Sequence, residues 1–188
     1  MNRKTDFFQL MESHLSSAAL IDIADKAKTE FTVIVTKPIT PVLGEGAVER
    51  LVRVATDSGA AMVYADRYER KMEGDGWKVE KHPAIDYQLG SIRDDFDFGP
   101  LILVRTSLLK QWAKERRDTL LYTYSGFYDL RLWLSRHGEL LHLNEFLYTE
   151  VEQDMRKSGE KQFDYVNPAN RQVQIEREQV ATRHLEAI

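Results

Sequence analysis

The stretch EFTVIVTKPITPVLGEGAVERLVRVATDSGAAMVYAD, Glu30 to Asp66, decides the fold. It opens on a nearly continuous β-branched run, Phe31 to Val35, which Pro38 and Pro41 bring to an end. A run that is apolar on both faces marks a strand buried in a covered sheet. A helical pattern follows: Val48, Leu51, Val52 and Ala55 share one face, and Gly59 supplies the stop. The segment AAMVYAD, Ala60 to Asp66, is a second buried strand. Strand, helix and strand on short connections predict an α/β sheet.

Outward from this core the same grammar continues. Upstream, Ser16 and Ser17 cap a helix whose Leu20, Ile23, Ala24 and Ala27 recur at helical spacing. Downstream, the segment from Arg67 to Gly90 is polar and carries at most a hairpin, turning at Gly74-Asp75-Gly76. PLILVR is a third apolar strand, and TSLLKQWAKERR a helix capped by Thr106 or Ser107. SGFYDLRLWLSRHG is another helix, and ELLHL and EFLYTE read as two short strands parted by Asn144. The strands at 31–36, 61–66 and 100–104 are expected to be central neighbours, with the helices from 45 and 106 packed on them. Asn167-Pro168 starts a charged terminal helix with a thin Val173 and Val180 seam, read as a solvated face or as a surface for a neighbour. Residues 1–157 are read as the α/β domain and 158–188 as linker and helix.

Composition excludes several classes of function. In 188 residues there is no cysteine, which removes disulfides, thiolate catalysis and Cys-type zinc sites. The net charge of −4, without a basic stripe, argues against nucleic acid. No apolar run reaches the roughly 20 residues that span a bilayer, and charges interrupt the start too early for a secretory signal. A cytoplasmic location is the expectation.

Acidic residues carry the chemistry. In Arg93-Asp94-Asp95-Phe96-Asp97-Phe98, an extended backbone would turn Asp95 and Asp97 to one face and both phenylalanines to the other. That suits a cleft holding a sugar, and it equally suits a turn whose acids cap backbone or pair with Arg93. Asp66 ends a central strand, where α/β sheets place ligands, or else it caps the turn. His82 and Asp86 lie close enough in sequence to line the same cleft, whereas His142 reads as a satisfied strand histidine. Trp77, Trp112 and Trp133 read as core or rim. Asp66, Asp95, Asp97 and Asp129 are expected to converge.

From Phe31 onward the order of pieces resembles the second half of a family 2 glycosyltransferase domain of the GT-A type, over roughly residues 16 to 155. The landmarks are EFTVIVTK, GEGAVERLVRVATDSGA, AAMVYAD, FGPLILVRTSLL and YDLRLWLSRHGELLHLNEFLYTEV. The resemblance implies transfer from a nucleotide-sugar donor to a saccharide acceptor, in glycan assembly, with Mg²⁺ or Mn²⁺ on the diphosphate. It also implies a first strand and nucleotide-binding turn ahead of residue 16, and the fifteen polar residues there leave the fold incomplete at its N-terminus.

Where the family holds its metal-binding aspartates, this chain has Thr36-Lys37-Pro38, so no metal ligand is assigned and Lys37 would meet the phosphates. The family's Glu-Asp-X-Asp-Leu pattern falls on Gly126 to Leu130, with Phe127 at the base position and Asp129 as the surviving acid. The site implied is therefore Asp129 as catalytic base, with Asp66, Arg93, Asp94, Asp95, Asp97, Lys37 and His82 on the substrates. Weak binding of UDP- or GDP-sugars by this chain alone is expected, with a second catalytic domain or subunit as partner. The alternatives are a non-catalytic scaffold or glycan-binding domain of the same descent, and a plain protein-interaction module.

Overall fold

The computed structural model describes residues 5–9, 15–74, 76–151 and 168–188. In chain order the elements are β1 (Thr5–Gln9), α1 (Ser17–Lys26), β2 (Phe31–Val35), β3 (Val42–Leu43), α2 (Ala47–Ser58), β4 (Met62–Glu73), β5 (Gly76–His82), β6 (Leu101–Arg105), α3 (Thr106–Arg117), α4 (Gly126–His137), β7 (Leu140–Val151) and α5 (Pro168–Glu186). The fold is α/β: a mixed sheet runs β1-β2-β6-β4-β7-β3, with β5 paired to β4. The three expected neighbours, β2, β6 and β4, lie side by side in the middle, and their apolar stretches are buried.

Alternation along these strands separates two cores. Ile34, Ile102, Met62 and Tyr64 face one side, where Leu20 and Ile23 of α1, Leu109 and Trp112 of α3, and Leu130 and Trp133 of α4 cover them. Phe31, Val33, Leu103, Val63 and Ala65 face the other, beneath Leu51 and Ala55 of α2. Ser16 caps α1 by accepting from the Ala19 N–H at 3.1 Å, and Gly59 ends α2 at a φ of 73°.

Several expectations are corrected. A strand does precede residue 16: β1 runs parallel to β2, from Thr5 beside Phe31 to Gln9 beside Val35. An edge strand needs only one apolar face, so Phe8 on the core suffices while Phe7 stays exposed. Asp6 ties the strand in by accepting from the N–H groups of Lys28 and, at 2.8 Å, Thr29. β7 is one strand of 12 residues rather than two, since Asn144 falls in a bulge. Thr106 makes no cap; its hydroxyl meets that of Thr32, 2.8 Å away in the core.

α5 is not a solvated helix either. Its Val180, Glu176 and His184 are buried, and Val180 packs with Tyr128 and Leu132 of α4. The linker expected from residue 158, and Asn167, lie outside the described residues. Among the described residues no helix is long and apolar enough to cross a membrane.

Candidate functional site

Strand β4 carries two polar residues where its apolar run ends, and β7 bulges opposite them. Ala65 pairs with Leu143, Asp66 with Phe146 and Arg67 with Tyr148, so β7 inserts extra residues beside Asp66 and Arg67. Bulges of this kind re-aim side chains. Alternation sends Asp66 to the α1/α3/α4 face and Arg67 to the α2 face.

On its face Asp66 is wholly buried. One oxygen accepts from the Ala84 N–H at 2.8 Å and faces His142 Nε2 at 2.8 Å, while the other has no partner. The far ring nitrogen of His142, Nδ1, lies 2.8 Å from Asp86, which is exposed. An imidazole between two carboxylates has a hydrogen-bond partner for each ring nitrogen. The ring is stacked on Tyr64 at 5.1 Å, and the Tyr64 hydroxyl donates to the Ile85 carbonyl. Burial pushes the Tyr64 hydroxyl pKa well above its usual value. His142 is thus satisfied, as its sequence context indicated.

On the other face Arg67 gathers three acids. Its Nε donates to Glu150 at 2.8 Å, and its Nη2 to Glu69 at 2.9 Å and Asp97 at 3.0 Å. Lys37 reaches Glu150 at 2.9 Å, and His82 lies 2.9 Å from Glu69 and 3.3 Å from Asp97. Burial raises the pKa of Asp97, but the Gly99 N–H and the Arg67 guanidinium together outweigh it and hold the carboxyl below its usual range. Glu69 is likewise lifted by burial and brought below its usual range by Lys71, His82 and Arg67. Arg67 Nη1 and the Tyr148 hydroxyl are buried without partners.

The four acids expected to converge each have partners of their own. Each acid of the 93–98 stretch meets a different guanidinium: Asp94 pairs with Arg177 at 2.8 Å, Asp95 with Arg93 at 3.0 Å, and Asp97 with Arg67. Asp95 is exposed, and the hydrogen bonds and charge of Arg93 keep its pKa low. The expected alternation does hold for the rings, since Phe96 and Phe98 pack into the core at 4.4 Å from one another. Asp129 lies apart in the helical layer, where Trp112 Nε1 donates to it at 2.9 Å and Arg116 at 2.6 Å. A base role there would require that buried pair to open.

Among the described residues no group of three or more His, Asp or Glu side chains could hold a divalent cation. No protein-family model matches the sequence, and no curated protein is significantly similar to it.

Reading acids for chemistry overlooked the cations that organise them. Arg67 carried a usable signal: it shares the period-2 face of Val63 and Ala65, so burial was written into its position. Arg131 carried one too, in the middle of the apolar helix α4. It is buried against Phe98 and Tyr128 and donates to the Arg93 carbonyl. Burial lowers its pKa.

Proposed function

We propose that the chain is a glycosyltransferase-like α/β domain of the GT-A type that handles a nucleotide-sugar donor and a saccharide acceptor in glycan assembly. The observation that carries this reading is Asp66 at the carboxyl end of the central apolar run, where open α/β sheets bind ligands. One oxygen is fixed by His142 and the Ala84 N–H, which leaves the other to accept from a sugar hydroxyl. Because Asp66 is wholly buried, a sugar reaches that oxygen only on a local opening. β1 offers a candidate for the strand that the resemblance expects ahead of residue 16.

A second reading, a non-catalytic glycan-binding domain of the same descent, is favoured by one set of facts. Asp129 is held by Arg116, Lys37 by Glu150, and no described group of acids suits a metal. Calorimetry with a panel of UDP- and GDP-sugars, with and without Mn²⁺, separates the two. The first reading expects weak binding that is indifferent to Mn²⁺ and weakened by Asp66→Asn. Saccharide binding with no nucleotide-sugar binding selects the second, and binding of neither class sinks both. Tight Mn²⁺-dependent binding would overturn the expected indifference to the metal.

A further inference from the structure

The outer halves of β4 and β5 pair with one another, with β7 along the other edge of β4 as far as Arg70, and the two faces of this ribbon differ in kind. Tyr68 pairs with Lys81, Arg70 with Val79 and Met72 with Trp77, and cross-strand partners share a face. Among the described residues, these six share that face with Thr149 and Val151 of β7, and none of them is an acid. The opposite face is a charged ladder: Glu69 with Glu80, Lys71 with Lys78, and Glu73 beside them, tied by ion pairs such as Lys78 to Glu80 at 3.0 Å.

Both cations on the acid-free face lie over rings. The Arg70 guanidinium sits 4.5 Å from the Trp77 ring centre, and Lys81 Nζ sits 5.2 Å from that of Phe146. Neither pairs with a carboxylate among the described residues, whereas Arg67, Arg93 and Arg116 all do. Met72, Trp77 and Val79 remain exposed, at 41%, 47% and 57%. By period-2 alternation this face continues inward along β4 to Asp66.

We infer that this face of the ribbon binds an acidic saccharide, a uronate-type or otherwise anionic oligosaccharide, that runs along β4 towards Asp66. Four strand steps from Tyr68 to Met72 give a platform about 14 Å long. Aromatic rings accept the apolar C–H faces of sugar rings. A guanidinium held over the Trp77 ring, without an acid partner among the described residues, has donors to offer a carboxylate. A short ligand senses these two local cations, whereas an extended anionic surface also senses the ladder acids and the net charge of −4. The choice of a saccharide rests on the glycosyltransferase-like reading; the charge and ring pattern does not.

Trp77 is a built-in probe, because Trp112 and Trp133 are buried. The whole chain is titrated with an oligogalacturonate, with its uncharged galactose counterpart, and with phosphatidylglycerol vesicles, following tryptophan emission. The oligogalacturonate is expected to bind, with affinity falling about tenfold in Arg70→Gln or Lys81→Gln. Glu80→Gln, on the other face, should not weaken it. Circular dichroism establishes that each variant keeps the ribbon. Equal binding of the neutral sugar, binding to vesicles alone, or binding that survives Arg70→Gln overturns the inference, as does no binding at all. Loss of nucleotide-sugar binding beside retained oligogalacturonate binding would sink the enzyme reading and leave this surface standing.

Discussion

Arg116 holds Asp129 from two nitrogens, Nε at 2.6 Å from one carboxylate oxygen and Nη2 at 3.2 Å from the other, with both side chains buried. The pair joins α3 to α4, and Trp112 adds a third donor at 2.9 Å. Removing one partner of a buried pair leaves the other charge uncompensated. Asp129→Ala should therefore cost about 3–5 kcal/mol. Urea denaturation measures this directly, and an unchanged midpoint would return Asp129 to the list of candidate bases.

Gly99 is required by contact as well as by conformation. Its φ is +74°, and a Cβ there would lie 2.3 Å from the Tyr148 hydroxyl oxygen. Gly99→Ala should destabilise by about 1–3 kcal/mol. Adding Tyr148→Phe removes the obstructing oxygen and should recover part of that loss. A double-mutant cycle with no coupling would refute the contact.

Acid should weaken the Arg67 cluster. The folded pKa of Asp97 lies below the ordinary 3.8, and that of Glu69 below 4.5. A depressed folded value means that their contribution is complete above the ordinary value and is lost as pH falls through the folded one. Stability measured from about pH 6 down to about pH 3 should drop more gently in Asp97→Asn than in the parent chain. Parallel curves would argue against the linkage.

Glu176 of α5 accepts from the backbone N–H groups of Thr123 at 3.1 Å, Tyr124 at 2.7 Å and Ser125 at 3.0 Å. These amides belong to the turn ahead of α4, so Glu176 fixes that turn, and Ser125 makes no side-chain capping bond itself. Glu176→Ala leaves buried donors unmatched and should cost about 1–3 kcal/mol. If thermal unfolding is unaffected, Glu176 does not hold this turn.

The central strands were legible because they are apolar on both faces, with Thr32 the one polar side chain inside Phe31–Val35 and Arg105 only at the end of Leu101–Arg105. β1 was not legible: five residues with only two phenylalanines look polar until β2 supplies the hydrogen bonds. Of the site, Asp66 was visible as the end of an apolar run. Its link to His142 was not, because a separation of 76 residues is closed only by the parallel pairing of β4 and β7. Glu176 resembled any surface glutamate, since the donors it serves lie more than fifty residues away.

The six residues 122–127 bind both outlying segments of the chain. Ser17 N–H donates to the Tyr122 carbonyl and Phe127 N–H to the Leu15 carbonyl, while Glu176 grips the amides between them. A Cβ on Gly126 would stand 2.2 Å from the Ser17 nitrogen, so no other side chain lets α1 and α4 approach this closely. Opening this turn removes one anchor each of α1 and α5 in the same event. Amide exchange should follow that partition: Ser17, Tyr124, Ser125 and Phe127 becoming labelled at one common rate, and the amides of β2, β4 and β6 only with global unfolding.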